Sequence, residues 1–473
     1  MKSSELKVER VSVRNRPIRR IGLITPYSGG NLGNATIISA AIVNIRKRIP
    51  GVEILGITLS PGETSRRHGI EGFPLAGISI PFYRVFESGT SESSQRKTPK
   101  PGRIKEWLKK IPLLRSLVRA IRACGRELAH IVAAARVVRK LDRAIVPGGG
   151  ALDEFWGGPW GHPWALFKWS VLCKIYGVPF LFVSVGKSAL ERPLSRFFVR
   201  IALRVAEYRS YRDLESKIAV QTLIDARNDP VYPDLAFSYP WPVVQSSHGN
   251  ISRDDRLLVG VSPIAYCDPR SWPHKDEARY AAYVSHLAEM VKWLIEEGHR
   301  VLFFTTDGPD VATVDDVRAM TSGAAIDAGS IQILPGSTEH SPDSFLKGIS
   351  GADLIIASRL HGVILSHLDA IPVLALSFDP KVDAHMNAME QKDYCLNIDQ
   401  LKLDACIERF TALRAARQPV QAQLRSTALR FRGLLDQQYD RILGASNSDS
   451  VPSEHRNEID ALRPSEVGGL RTR

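Results

Sequence analysis

The chain has 473 residues, 44% hydrophobic and 24% charged, with 63 Lys+Arg against 50 Asp+Glu for a net charge of +13. At about 100–200 residues per domain this length predicts two or three domains, and the composition excludes global disorder and fibrous architecture. The longest apolar runs, residues 178–185 and 371–377, fall short of the ~18–20 residues of a membrane span, and residues 1–20 lack the apolar centre of a secretory signal.

Residues 1–19 read as a flexible lead. The apolar run 20–26 passes into a turn-rich loop, 27–34, and then a helix pattern through Ile37, Ile38, Ala41, Ile42 and Ile45. A strand at 52–58 follows, which makes a strand–loop–helix–strand unit. Residues 60–100 are rich in Pro, Gly and Ser and read as loop or insertion.

The charge is concentrated in one segment. Residues 96–126 hold eleven Lys and Arg against Glu106 alone, which is +10 of the total of +13. Ile104, Trp107, Leu108, Ile111, Leu114, Leu117, Val118 and Ile121 recur at helical spacing, with Pro112 as a kink. The segment therefore predicts a basic helical insertion at about 83–140. A basic amphipathic helix with a Trp on its apolar face suits an anionic membrane surface; packing on the body of the protein is the alternative. No nucleic-acid-binding module is recognisable, so no nucleic acid partner is expected.

Beyond the insertion, residues 143–147 predict a strand, 164–176 a helix, 178–185 a strand and 194–205 a helix. These complete an N-terminal domain, 20–242. Residues 243–255 are polar and read as a linker. The same alternation resumes over 256–443, with strands at 257–262, 300–306, 353–357 and 372–377 and a long final helix at 421–443. Residues 444–473 read as a disordered tail. The expected fold is α/β, with two Rossmann-like domains facing across a cleft and ligands bound beyond the carboxyl ends of the strands.

Candidate site residues sit where strands end. The loop Gly29-Gly30-Asn31-Leu32-Gly33-Asn34 lets backbone N–H groups approach an anion at a helix N-terminus; a tight structural turn is the alternative. Gly148-Gly149-Gly150 implies close approach of a ligand or another loop. Asp153, just beyond, suits a general base, a sugar-hydroxyl acceptor or a helix cap. Trp156, Trp160 and Trp164 suit sugar faces or core packing. Arg209 and Arg212 match carboxylate or phosphate, with a structural ion pair as the alternative. In Ser358-Arg359-Leu360-His361-Gly362, a cation and a titratable imidazole follow a buried strand. Asp379-Pro380-Lys381 offers a further cation. The five cysteines are scattered without CxxC spacing, so neither a disulfide framework nor a cysteine zinc site is expected, and a reducing cytoplasm is the expected compartment.

The ordered set Gly30-Asn31-Leu32-Gly33, Pro147-Gly148-Gly149-Gly150, Tyr211-Arg212-Asp213-Leu214-Glu215-Ser216, Asp234-Leu235-Ala236-Phe237, Ser358-Arg359-Leu360-His361-Gly362 and Asp379-Pro380-Lys381-Val382 resembles the polysaccharide pyruvyl transferase family over residues 20–400. The resemblance implies a GT-B-like pair of domains. It also implies transfer of an enolpyruvyl unit from phosphoenolpyruvate to a sugar of a cell-surface polysaccharide or exopolysaccharide, ending in a pyruvate ketal. By the same resemblance Arg212, Arg359, His361 and the backbone at Leu360 surround phosphoenolpyruvate. His361 is expected to protonate its methylene, with Asp153 or Asp234 deprotonating the sugar hydroxyl. Lys381, Asn31, Gly33, Asn34, Gly149 and Gly150 are expected to line the substrate site. No cofactor beyond the donor substrate, and no metal, is expected. The sequence departs from the family where Asn34 and Ala35 stand in place of two acids. A lipid-linked acceptor would explain the basic segment as a peripheral anchor on the inner face of the membrane. A GT-B glycosyltransferase using a nucleotide sugar and a non-catalytic polysaccharide-assembly protein are the competing readings.

Overall fold

The computed structural model describes residues 17–77, 112–154, 157–188, 190–242, 256–321, 329–336 and 341–444, with side chains from 121 onward in the helix that begins the second stretch. Two six-stranded sheets organise it. The first contains β1 (Arg20–Ile24), β2 (Glu53–Thr58), β3 (Glu71–Pro74), β4 (Arg143–Pro147), β5 (Phe180–Val185) and β6 (Tyr208–Tyr211), in the order β3-β2-β1-β4-β5-β6. The second contains β7 (Leu258–Ser262), β8 (Arg300–Phe303), β9 (Ile331–Ile333), β10 (Leu354–Ala357), β11 (Val373–Ser377) and β12 (Cys395–Asn397), in the order β12-β11-β10-β7-β8-β9. Every pairing is parallel. Parallel strands are covered by helices on both faces, so β4, β5, β10 and β11 are buried throughout and mostly apolar, with no solvent-facing side.

Each sheet runs outward in both directions from a central pair, β1 beside β4 and β7 beside β10. Chain connections leave such a pair toward opposite sides and open a crevice at its carboxyl end. The loops after β1 and β4 in one half, and after β10 in the other, therefore border crevices. They are also the loops with the candidate residues.

Part of the 60–100 stretch is not loop. It holds the helix Pro61–His68 and the edge strand β3. Neither carries a readable apolar pattern: the helix buries only Thr64, and Pro at its start and the ion pairs of Glu63 with Arg66 and Arg67 support it instead. The helix Pro112–Val138 contains the second part of the basic segment; residues 96–111, the proposed linker 243–255 and the tail from 445 lie outside the described residues. No described helix is long and apolar enough to cross a membrane.

The final helix, Arg417–Leu443, leaves the second sheet and packs on the first half. Gln438 accepts from the Ser184 hydroxyl at 3.0 Å and donates to Ser210 at 2.7 Å. Arg48 bonds Asp436 and Asp440 at 2.9 and 2.6 Å, and Arg143 donates to the Ile442 carbonyl. With Leu235, Phe237 and Trp241, this helix makes one apolar core continuous from Ile21 and Leu23 to the second sheet; a second core fills the other face of the first sheet.

Candidate functional site

The site begins at the start of the helix Leu32–Arg48. Asn31 caps it by accepting the Asn34 N–H at 2.9 Å. The Asn31 amide also donates to Asp307 at 3.1 Å, and the Leu32 N–H donates to the Thr306 carbonyl at 2.9 Å. The loop after β1 is thus bonded to the loop after β8, and the carboxyl edges of the two sheets meet there.

One residue further on, Gly33 faces His361. A β-carbon on Gly33 would lie 2.0 Å from Cγ and 2.2 Å from Nδ1 of the imidazole. His361 stands in the first turn of the helix Leu360–Leu368, whose cap, Arg359, is extended and makes no side-chain capping bond. Two helix N-termini therefore converge, and their partial positive charge favours an anion between them.

The third contributor is the segment after β6. Asp234 caps the short turn Leu235–Ser238 by accepting the Ala236 N–H at 3.0 Å. Its other oxygen lies 3.4 Å from Arg212 Nη1 and 3.9 Å from His361 Nε2. One buried carboxylate oxygen is thus shared by a guanidinium and an imidazole from different halves. Arg212 Nη2 and His361 Nε2 are both buried and find no hydrogen-bond partner among the described residues. Orphaned buried polar atoms in a native site point to a ligand or ordered water.

The other cations are more fully paired. Arg359 makes a fork with Asp310 at 2.7 and 2.8 Å and reaches Asp307 at 3.2 Å. Lys381 pairs with Asp379 at 3.0 Å and lies over the Phe378 ring. Burial opposes the charge of Arg212, but Asp213 and Asp234 outweigh it and raise its pKa; Asp310 and Asp307 do the same for Arg359. Burial, and then the neighbouring Asp310, raise the pKa of Asp307 against the opposing Arg359. His361 is pushed down to about 4, first by burial; Arg212, Lys381 and Arg359 act in the same direction and Asp234 against it. The neutral imidazole is the resting form.

Gly33, Arg212, Asp234, Arg359, Leu360 and His361 come together, with Lys381 close enough to act on the imidazole. Asn31 caps a helix and ties the halves together. Asn34 packs beside Gly149: its Oδ1 would be 3.2 Å from a β-carbon there, and Gly148 and Gly149 hold φ of +48° and +64°. Gly149 also accepts the Gly186 N–H at 2.8 Å, and Gly186 backs onto Arg212, whose Nη2 would be 2.6 Å from a β-carbon at 186. Gly150 lies near Ser188. Asp153 starts no described helix and acts electrostatically on Lys187. Arg209 is a structural residue, forked onto Asp229 at 2.7 and 3.0 Å. Trp160 and Trp164 join Phe167, Phe197 and Phe198 in an aromatic cluster, and Trp156 lies outside the described residues.

Asp307 and Asp310, the partners of Arg359, were not anticipated. Their signal is the polar turn Thr305-Thr306-Asp307-Gly308-Pro309-Asp310, one residue past β8. Among the described residues no group of three or more His, Cys, Asp or Glu could hold a metal ion.

A sequence profile described as Polysaccharide pyruvyl transferase matches residues 31–380. No curated protein sequence matches the chain. Solved structures similar in fold include S. aureus MnaA with UDP, at TM-score 0.53 and 10% identity over 95% of this chain and 100% of that one. A glycosyltransferase from Rickettsia africae matches at TM-score 0.51 and 12% identity over 91% and 100%. The UDP-GlcNAc 2-epimerase from Methanocaldococcus jannaschii matches at TM-score 0.50 and 9% identity over 83% and 92%. The architecture is GT-B-like.

Proposed function

The chain belongs to the polysaccharide pyruvyl transferase family, and on that premise we propose that it moves the pyruvyl unit of phosphoenolpyruvate onto two hydroxyls of a saccharide as a ketal. The proposed acceptor is a sugar of a cell-surface polysaccharide or exopolysaccharide, carried as a lipid-linked precursor. The observation that carries the reading is the pair of orphaned buried groups, Arg212 Nη2 and His361 Nε2, around one oxygen of Asp234. A small, multiply charged anion with a carboxylate and a phosphate suits such a site. It would take the spare Arg212 donor, the first-turn N–H groups after Arg359 and the charge of Lys381.

The chemistry follows from the resting state of the imidazole. His361 is neutral while the site is without the donor, and an incoming anion raises its proton affinity. The proton therefore enters with the substrate. His361 gives it to the methylene carbon of phosphoenolpyruvate as one sugar oxygen bonds to C2. The C2–O bond to phosphate then breaks, and a neighbouring hydroxyl closes the ketal. Over a full cycle Asp234 passes the first hydroxyl proton back to His361, replacing the one given to the new methyl group, and the second hydroxyl proton leaves with the phosphate. Asp234 steadies the imidazolium and takes up the hydroxyl proton; its position beside His361 favours it over Asp153 as the base.

The test is calorimetry and thermal shift with phosphoenolpyruvate beside UDP-sugars, on the wild type and Arg212→Lys. A ligand at about 100 times its Kd stabilises by about 2.7 kcal/mol. Stabilisation by phosphoenolpyruvate that the variant loses supports the assignment. Stabilisation by UDP-sugars alone would replace it with nucleotide-sugar transfer.

A further inference from the structure

Three helices lie side by side over one face of the first sheet: Pro112–Val138, His162–Tyr176 and Pro193–Val205. Trp164 and Lys168 of the middle helix bond Glu127 of the first at 2.8 and 2.7 Å. Phe167 and Trp164 pack on Phe198 of the third. Two properties of their outer surface stand apart from the rest of the molecule.

The first is apolar exposure. Trp160, just before the middle helix, is 57% exposed, Phe197 52%, Leu128 64%, Val132 52% and Ile175 66%. The outward stripe of the middle helix, Trp164, Phe167 and Val171, is itself only half-buried. Large apolar side chains concentrated on one exposed face mark an interaction site.

The second is charge of a single sign. Of the described side chains of the three helices, Arg122, Arg126, Arg136, Lys174, Arg200 and Arg204 are exposed, whereas Lys168 is buried against the one acid, Glu127. That acid is buried, where it accepts from Lys168, Trp164 and the Gly77 N–H. Arg122, Arg126, Arg200 and Arg204 are exposed beside the apolar residues.

The partner must therefore be anionic and apolar at once. A second copy docking through this face would bring the same basic residues against it, and residues 96–111 are themselves basic. Nucleic acid supplies charge without an apolar interior. An anionic bilayer supplies both, with phosphates at the surface and acyl chains beneath. We propose that this three-helix face docks on an anionic lipid bilayer. Trp160, Phe197 and Leu128 enter the headgroup layer, and Arg122, Arg126, Arg200 and Arg204 meet the lipid phosphates.

The placement of the face gives it a use. Helices that connect parallel strands run opposite to them, so Trp160, Leu194 and Phe197, at the starts of the second and third helices, lie toward the carboxyl edge that bears the site. The first helix overhangs that edge. Its 27 residues span about 40 Å, against about 20 Å for the strands beneath. Glu127 meets Gly77 just past the end of β3, and residues 121, 122 and 124–126, before it, are exposed. Docking thus brings the mouth of the site to the membrane surface. This inference stands without the identity of the donor.

The test is co-sedimentation of the full chain with phosphatidylcholine vesicles, with and without phosphatidylglycerol. Wild type is expected to sediment only with the anionic vesicles. Trp160→Ala/Phe197→Ala should weaken partitioning by about tenfold through lost apolar burial. Arg200→Glu/Arg204→Glu should weaken it by about tenfold or more and flatten its salt dependence. The second pair is on the surface and keeps the test valid if the first misfolds. Absence of binding to anionic vesicles overturns the proposal, as does binding by both variants at the wild-type level. Light scattering that shows a dimer dissolved by Phe197→Ala would assign the face to self-association instead.

Discussion

Gly33 and His361 come from opposite halves of the chain and touch so closely that the only side chain accommodated at 33 is hydrogen; a methyl there would enter the imidazole ring. Gly33 shows no positive φ, so the restriction is the neighbouring ring and not the backbone. Gly33→Ala should destabilise by about 1–3 kcal/mol, the usual cost of overpacking, and abolish activity by displacing the ring. The double variant Gly33→Ala/His361→Ala should recover much of that stability and none of the activity. Additive losses in urea unfolding would show that the contact is not the cause.

His361→Gln should lower turnover by about 10²–10⁴-fold, the range for general acid–base assistance, with little change in Tm. In the free protein its imidazole resonances should titrate at about 4 because burial disfavours the charged form. Saturation with phosphoenolpyruvate should move the titration upward. A titration at the ordinary histidine value in the free protein, or no response to the donor, would remove the idea that the proton arrives with the anion.

Several buried histidines make stability fall with acid. His361 and His162 are pushed down to about 4 and His367 to about 3, each chiefly by burial, and His385 is lowered well below its ordinary value. Between these values and the unfolded pKa near 6.5 the unfolded chain binds more protons, so stability is full above about 6.5 and drops as pH falls toward 4. Each group contributes a slope of about 1.4 kcal/mol per pH unit in that window. Urea midpoints at about pH 7, 6 and 5 should decline steeply; a flat profile would contradict the burial of these rings.

Asp310 is fully buried and forks onto Arg359. Asp310→Ala leaves that guanidinium short of a partner and should cost about 3–5 kcal/mol, the range for breaking one side of a buried pair. It should also weaken binding of the donor by releasing the loop after β10. Unchanged unfolding and unchanged affinity together would show that the pair holds nothing in place.

The alternation of strands and helices was legible because buried parallel strands are short apolar runs that end in glycine or polar turns. The loops with Gly33, Gly149, Arg212 and His361 could be found for the same reason. Tertiary partnership was not legible. Arg359 meets Asp310 across 49 residues and Asn31 meets Asp307 across 276, and no local pattern encodes either. Arg209 and Arg212 look alike in sequence, yet Asp229 neutralises the first while the second keeps a free donor. Helix Pro61–His68 escaped notice because ion pairs, and not an apolar stripe, support it.

The return of the final helix sets an order of events during synthesis. Ser210 and its partner Gln438 are 228 residues apart. At about 5–20 residues per second, the ribosome takes about 10–45 s to deliver the second after the first. Through that interval the nascent first sheet waits with Ser184, Ser210 and the adjoining apolar face uncovered by the final helix. Translation speed over the second half of the message thus sets how long that face stays uncovered.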